Sequence, residues 1–121
     1  MEINQKIRVA AADFDKEFVN SLCDYMRQTT KIEVVGCCYD GLEVPALVKN
    51  NDVDVLVMDL VLPTIDGIGV LERINRMKLK KRPHILIVSS VLNETVTSYS
   101  NSYGVEYCRS EEHTSELQSH H

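Results

Sequence analysis

The chain has 121 residues, the length of one ordinary domain. With 44% hydrophobic and 26% charged residues, it is globular in composition and carries enough apolar side chains for a core. Its 13 Lys and Arg against 18 Asp and Glu leave a formal charge of −5. That argues against broad non-specific phosphate-backbone binding, which needs clustered excess cations. No stretch approaches the roughly 18 uninterrupted apolar residues of a membrane span. Met1 to Lys6 is polar and has no signal-peptide core, so a cytoplasmic location with no membrane partner is expected. Cys23, Cys37, Cys38 and Cys108 form no CxxC pair; reduced, partly buried thiols are expected of them.

Strand-length apolar runs alternate with helix-period segments. Ile7–Ala11 predicts a strand, followed at once by Asp13-Phe14-Asp15. From Asp15 the period becomes helical, with Phe14, Phe18, Leu22, Tyr25 and Met26 expected on one inward face. Ile32–Tyr39 predicts a second strand. Asp40-Gly41-Leu42-Glu43 then reads as an N-cap with a capping-box glutamate. The helix that follows turns Val44, Leu47 and Val48 inward and, with Pro45 late in its first turn, is expected to start irregularly. Val53–Leu62 is the most apolar segment, the pattern of a central parallel strand buried on both faces and ending at Asp59. Pro63 to Gly67 is a turn. Ile68–Met77 is helical, with Val70, Leu71, Ile74 and Met77 inward, and Lys78–Pro83 is a basic, solvated loop. Ile85–Ser89 is a fourth strand, Asn93–Tyr103 a weak helix resting on Val96, Tyr99 and Tyr103, and Val105–Cys108 the start of a fifth strand.

Repeated strand–helix units of this length predict an α/β fold with a doubly wound, parallel, five-stranded sheet. In such sheets the site lies beyond the carboxyl ends of the strands. Asp13, Asp15, Asp59 and Ser89 all fall there. The pattern stops at Arg109–His120, RSEEHTSELQSH, which is polar and aperiodic and reads as an in-frame translation of a common sequencing adapter. The expectation is a domain over residues 1–108, incomplete at its C-terminal end and lacking its last helix, followed by a non-native tail over 109–121.

Asp59 ends a buried strand and precedes Leu60-Val61-Leu62-Pro63-Thr64-Ile65-Asp66-Gly67. A carboxylate so placed, with a neighbouring acid to hold a divalent cation, can attack a phosphoryl group, because the cation offsets the repulsion between two anions. A hydroxyl such as Ser89 can then hydrogen-bond the new phosphoryl oxygens. Taken with GCCYDGLE, DVLVMDLVLPTIDGIGVLERIN and LKKRPHILIVSS, the D-x-x-x-P-x-x-D-G loop and a serine thirty residues beyond Asp59 make Lys6 to Cys108 resemble the receiver domain of two-component response regulators. Within that family the likeness is to the sporulation regulators of endospore-forming bacteria. The resemblance implies the flavodoxin-like fold, Asp59 as phosphoacceptor and Ser89 as the switch hydroxyl. It also implies Mg²⁺ bound through Asp13, Asp59 and the Val61 backbone carbonyl. Pro63 and Gly67 would shape the loop. The implied phosphodonor is a phosphotransferase or histidine kinase, and the implied protein is a non-enzymatic signalling module that forms a homodimer on phosphorylation. It would reach DNA only through a C-terminal domain absent from this chain.

The sequence departs from the family at Phe14, which stands where the second of two consecutive acids is usual and weakens the expected Mg²⁺ site. Asp15 is the substitute ligand expected if the backbone shifts by one residue; its other reading is the N-cap of the first helix. Phe14 itself is expected in the core or at the rim of the site. The family's lysine falls at Glu111, inside the adapter-like tail, and the aromatic usual in the fifth strand aligns with Cys108. Two alternatives remain at this level. One is a degenerate receiver acting as a phosphate-independent interaction module, which Phe14 supports. The other is a haloacid-dehalogenase-type phosphatase using Asp13-Phe14-Asp15 and Ser89, which leaves the Asp59–Gly67 loop unexplained.

Overall fold

The computed structural model describes residues 5–88, 98 and 101–109, the last four of them by backbone alone. In chain order these residues form β1 (Ile7–Ala12), α1 (Lys16–Met26), β2 (Ile32–Cys38), a 3₁₀ turn (Gly41–Glu43), α2 (Val44–Asn50), β3 (Val55–Met58), α3 (Gly67–Arg76), β4 (His84–Val88) and β5 (Val105–Arg109). The strands pair in parallel in the order β2-β1-β3-β4-β5, so β3 is central as its apolar sequence requires. This is the doubly wound α/β arrangement expected from the alternating pattern. Residues 110–121, which contain most of the adapter-like segment, lie outside the described residues, as do Val96 and Tyr99; the backbone of β5 runs through Arg109.

Period-two alternation in the strands divides the core into two layers. On one face Ala10, Ala12, Leu56, Met58, Ile85 and Ile87 pack against Val44 and Val48 of α2 and Val70, Leu71 and Ile74 of α3. On the other, Val9 and Ala11 pack against Val19, Cys23 and Met26 of α1. Each large apolar side chain so buried contributes about 1.5–3 kcal/mol, and the alternation commits β1 and β3 to a single register, because a one-residue slip would exchange the two faces.

The inner stripe of α1 differs from the predicted one. Val19, Cys23 and Met26 are buried, with Phe18 and Leu22 half-buried beside them, whereas Phe14 is 54% and Tyr25 74% exposed. A helix on a sheet seats one stripe, and compact Val19 and Cys23 let α1 approach a strand lined by alanine. The aromatics had drawn the predicted face one position aside. The helix before β3 does begin irregularly: Asp40 caps the 3₁₀ turn by accepting from the Leu42 N–H at 2.8 Å, and α2 then starts with Pro45 in its first turn. Strand β3 covers only Val55–Met58, yet Val53, Leu60 and Leu62 outside it are still buried. The length of the apolar run therefore reported burial rather than strand. In the basic loop, Lys81 pairs with Asp54, and Arg82 donates to the Ile74 carbonyl at 3.5 Å and to Asn75 Oδ1 at 3.1 Å. No described helix is long and apolar enough to cross a membrane.

Candidate functional site

The pairing of β1 with β3 sets Ala12 beside Met58, so the residues that follow, Asp13 and Asp59, emerge next to each other. Backbone bonds hold both there: Asp59 N–H donates to Ala12 O at 3.0 Å and Asp13 N–H to Cys38 O at 3.2 Å. Both are buried, Asp13 at 4% and Asp59 at 7% exposure, and both line one narrow cleft with Ala11, Ala12, Met58 and Val88. Carboxylates are seldom buried unless a bond or an ion compensates them. Asp59 Oδ1 accepts the Val61 N–H at 3.0 Å and Asp13 Oδ1 the Asp15 N–H at 2.9 Å, two local turns of the kind aspartate favours.

The loop from Asp59 to Gly67 owes its shape to two close backbone approaches. Gly67 N–H donates to Leu60 O at 2.7 Å, and a Cβ at Gly67 would lie 2.7 Å from the Leu60 Cα. At Gly41, whose N–H donates to Pro63 O at 3.1 Å, a Cβ would lie 1.9 Å from the Ile65 carbonyl oxygen. Neither position admits a side chain. Between them Thr64 has φ 71° and Ile65 N–H donates to Pro63 O at 2.8 Å, a strained γ-turn of the sort found at functional loops. Thr64 Oγ1 donates to Asp40 Oδ2 at 2.8 Å. Asp40, legible in sequence only as a cap, therefore also ties the β2–α2 turn to the loop after Asp59. The Asp40-Gly41 pair was the available signal: a small, permissive residue beside a carboxylate acceptor marks a place where two backbones meet.

Asp66 closes the loop as the N-cap of α3, accepting the Gly69 N–H at 2.9 Å. Asp15 does the same for α1: its Oδ1 accepts the Phe18 N–H at 3.2 Å. It is exposed and does not line the cleft of Asp13 and Asp59. Of the two readings of Asp15, the N-cap is the one this geometry shows, its carboxylate being held by the first turn of the helix it starts. Phe14, directly after Asp13, is exposed and absent from the core. Ser89 lies outside the described residues.

Among the described residues no three His, Cys, Asp or Glu side chains gather as a metal cluster. The pair that does converge still fits a hard, oxygen-seeking ion such as Mg²⁺, which is bound through one or two carboxylates and keeps several waters. Two buried like charges in one cleft favour such a cation.

Opposite this end of the sheet lies a different polar cluster. Arg8 donates through Nε and Nη2 to the Asn51 carbonyl at 3.1 and 2.9 Å, and through its backbone N–H to Asp54 Oδ2 at 2.8 Å. The hydrogen bond from Lys81 and the one from Arg8 hold the Asp54 carboxyl below its usual 3.8.

The response regulator receiver domain model matches residues 9–108. Among solved structures, the response regulator domain of CheB from Thermotoga maritima is 27% identical, with a TM-score of 0.80 over 90% of this chain and 81% of that one. The signal receiver domain of NarL from Mycobacterium tuberculosis is 22% identical, with a TM-score of 0.79 over 88% and 84%. The isolated receiver domain of RcsB from Salmonella enterica serovar Typhimurium, solved with the phosphomimetic BeF₃⁻, is 21% identical, with a TM-score of 0.77 over 89% and 79%. With a sheet of matching topology and the model spanning most of its length, the chain belongs to the response regulator receiver domain family.

Proposed function

We propose that this receiver accepts a phosphoryl group on Asp59. The observation that carries the reading is the side-by-side burial of Asp13 and Asp59 at the paired ends of β1 and β3. The Val61 N–H holds Asp59 Oδ1, which leaves the other carboxylate oxygen as the nucleophile. That oxygen bonds to phosphorus as the bond from phosphorus to the donor's leaving group breaks, giving an acyl phosphate. A phosphotransferase or histidine kinase is the donor. Asp13, Asp59 and the Val61 carbonyl are the groups that would hold Mg²⁺, which when bound neutralises charge between carboxylate and phosphoryl oxygens. Phe14, in place of a further acid, leaves this site with fewer ligands. Ser89 is proposed as the hydroxyl that hydrogen-bonds the transferred phosphoryl group, as the family resemblance implies.

The downstream reading is control of a DNA-binding domain beyond this chain, with homodimerisation on phosphorylation, as in stage 0 sporulation protein A, which the loop and strand motifs resemble. In this reading the protein is a cytoplasmic signalling module rather than an enzyme, with its receiver over residues 1–108. The test is labelling of the full chain with acetyl phosphate and Mg²⁺. Label lost in Asp59→Asn and retained in part in Asp13→Asn is the expected outcome. Label that follows Asp13 instead would favour the phosphatase-like reading. Failure of the unaltered chain to label at millimolar Mg²⁺ would favour a phosphate-independent interaction module.

A further inference from the structure

The second core layer contains two thiols from different elements. Cys23 is 1% exposed on the inner stripe of α1. Cys37, on β2, is half-buried and packs against the same cluster. The two thus share one packed layer between α1 and β2, where Cys37 adds to the burial that raises the Cys23 thiol. Cys37 is paired across the sheet with Ala11, whose methyl leaves the space above the strand to the sulfurs. Strand alternation turns the neighbouring Cys38 to the opposite layer, among Val44, Val48 and Ala12. Adjacent cysteines in the chain thus face different cores, and only one of them faces α1.

We infer that Cys23 and Cys37 form an oxidation site at which hydrogen peroxide converts the pair to a disulfide joining α1 to β2. The order of events follows from exposure. Cys37, the more accessible sulfur, attacks the peroxide oxygen; the O–O bond breaks, leaving a sulfenic acid on Cys37 and releasing one water. Cys23 then attacks the Cys37 sulfur, the S–O bond breaks, and the hydroxyl leaves with the Cys23 proton as a second water. Two thiols lose two electrons and two protons, and one peroxide is reduced to two waters. Burial pushes the Cys23 thiol up to about 12, so its thiolate is scarce and it is poorly suited to meet the oxidant first. As the resolving thiol it has a neighbour already in place, which offsets that scarcity through effective concentration. The crosslink would fasten α1, which begins three residues after Asp13, to the edge strand, restricting motion of α1 relative to the sheet.

The test is peroxide treatment of the folded chain carrying Cys38→Ser, which makes the linkage assignable, followed by peptide mapping without reductant. The expected product is one intramolecular Cys23–Cys37 disulfide with the loss of two hydrogens. Cys23→Ala should remove it and leave a Cys37 sulfenic acid that dimedone captures. A linkage to Cys108, only intermolecular disulfides, or peroxide-treated protein without crosslink would each overturn the inference. The unsubstituted chain keeps the result independent of how Cys38→Ser folds: its two linked peptides must be those holding Cys23 and the Cys37-Cys38 pair.

Discussion

The two ends of the sheet handle buried and half-buried charge in opposite ways. At the amino end, Asp54 is answered within the chain by Lys81 and by the Arg8 backbone, while the Arg8 side chain also secures the carbonyls of Asn51 and Asp52. At the carboxyl end, two carboxylates are brought together and accept from the backbone N–H groups of Asp15 and Val61. A carboxylate matched by a lysine and a backbone N–H is a strut. Two carboxylates brought into one cleft are where we propose that an external cation and a phosphoryl group bind. The same residue type therefore means different things at the two ends, and the partners distinguish them.

Substitution should separate the ends sharply. The largest effect expected is complete loss of phosphoryl labelling in Asp59→Asn, with labelling unchanged in Asp54→Asn; label lost from both would erase the contrast. Next, Arg8→Ala should lower unfolding stability by about 1–2 kcal/mol, because it leaves the carbonyls of Asn51 and Asp52 without their charged donor. Chemical denaturation would measure this, and labelling per folded molecule should not change. Phe14→Asp tests the other end by restoring a carboxylate directly after Asp13: titration calorimetry should show Mg²⁺ affinity raised about tenfold, with little change in stability because Phe14 is exposed.

The smallest effect concerns pH. The folded Asp54 carboxyl lies below its ordinary 3.8 through its hydrogen bond with Lys81 and that with Arg8. A depressed folded value means the contribution is present above the unfolded value and is lost as the pH falls through the folded one. Partly exposed ion pairs of this kind contribute about 0.5 kcal/mol. Melting at successive pH values below about 4 should therefore show a small loss that Asp54→Asn removes and added salt reduces. A loss of the same size in the variant would assign it to other carboxylates.

Much of this was legible in sequence. Strand–helix alternation identified every described strand, and the placement of Asp13 and Asp59 at strand ends followed from apolar runs stopping at a charge. Pro45 announced the irregular start of α2. The inner face of α1 was misjudged because hydrophobicity counts Phe14 and Tyr25 as core, whereas packing on an alanine-lined strand selected Val19 and Cys23. Asp15 carried two readings that local sequence cannot separate; its bond to the Phe18 N–H assigns it to the cap. The link from Thr64 to Asp40 spans distant parts of the chain and has no local signature.

The sequence by itself determined the order of the described strands and helices, where the acidic loop begins, and which family the chain resembles, because periodicity, glycine and proline act through neighbours along the backbone. Only the tertiary structure decided which aspartates share a cleft, which cysteine of the adjacent pair faces α1, and which carboxylate is matched by a cation. Those outcomes depend on strand register and on which side of the sheet each helix packs, and both are settled by burial across the whole domain.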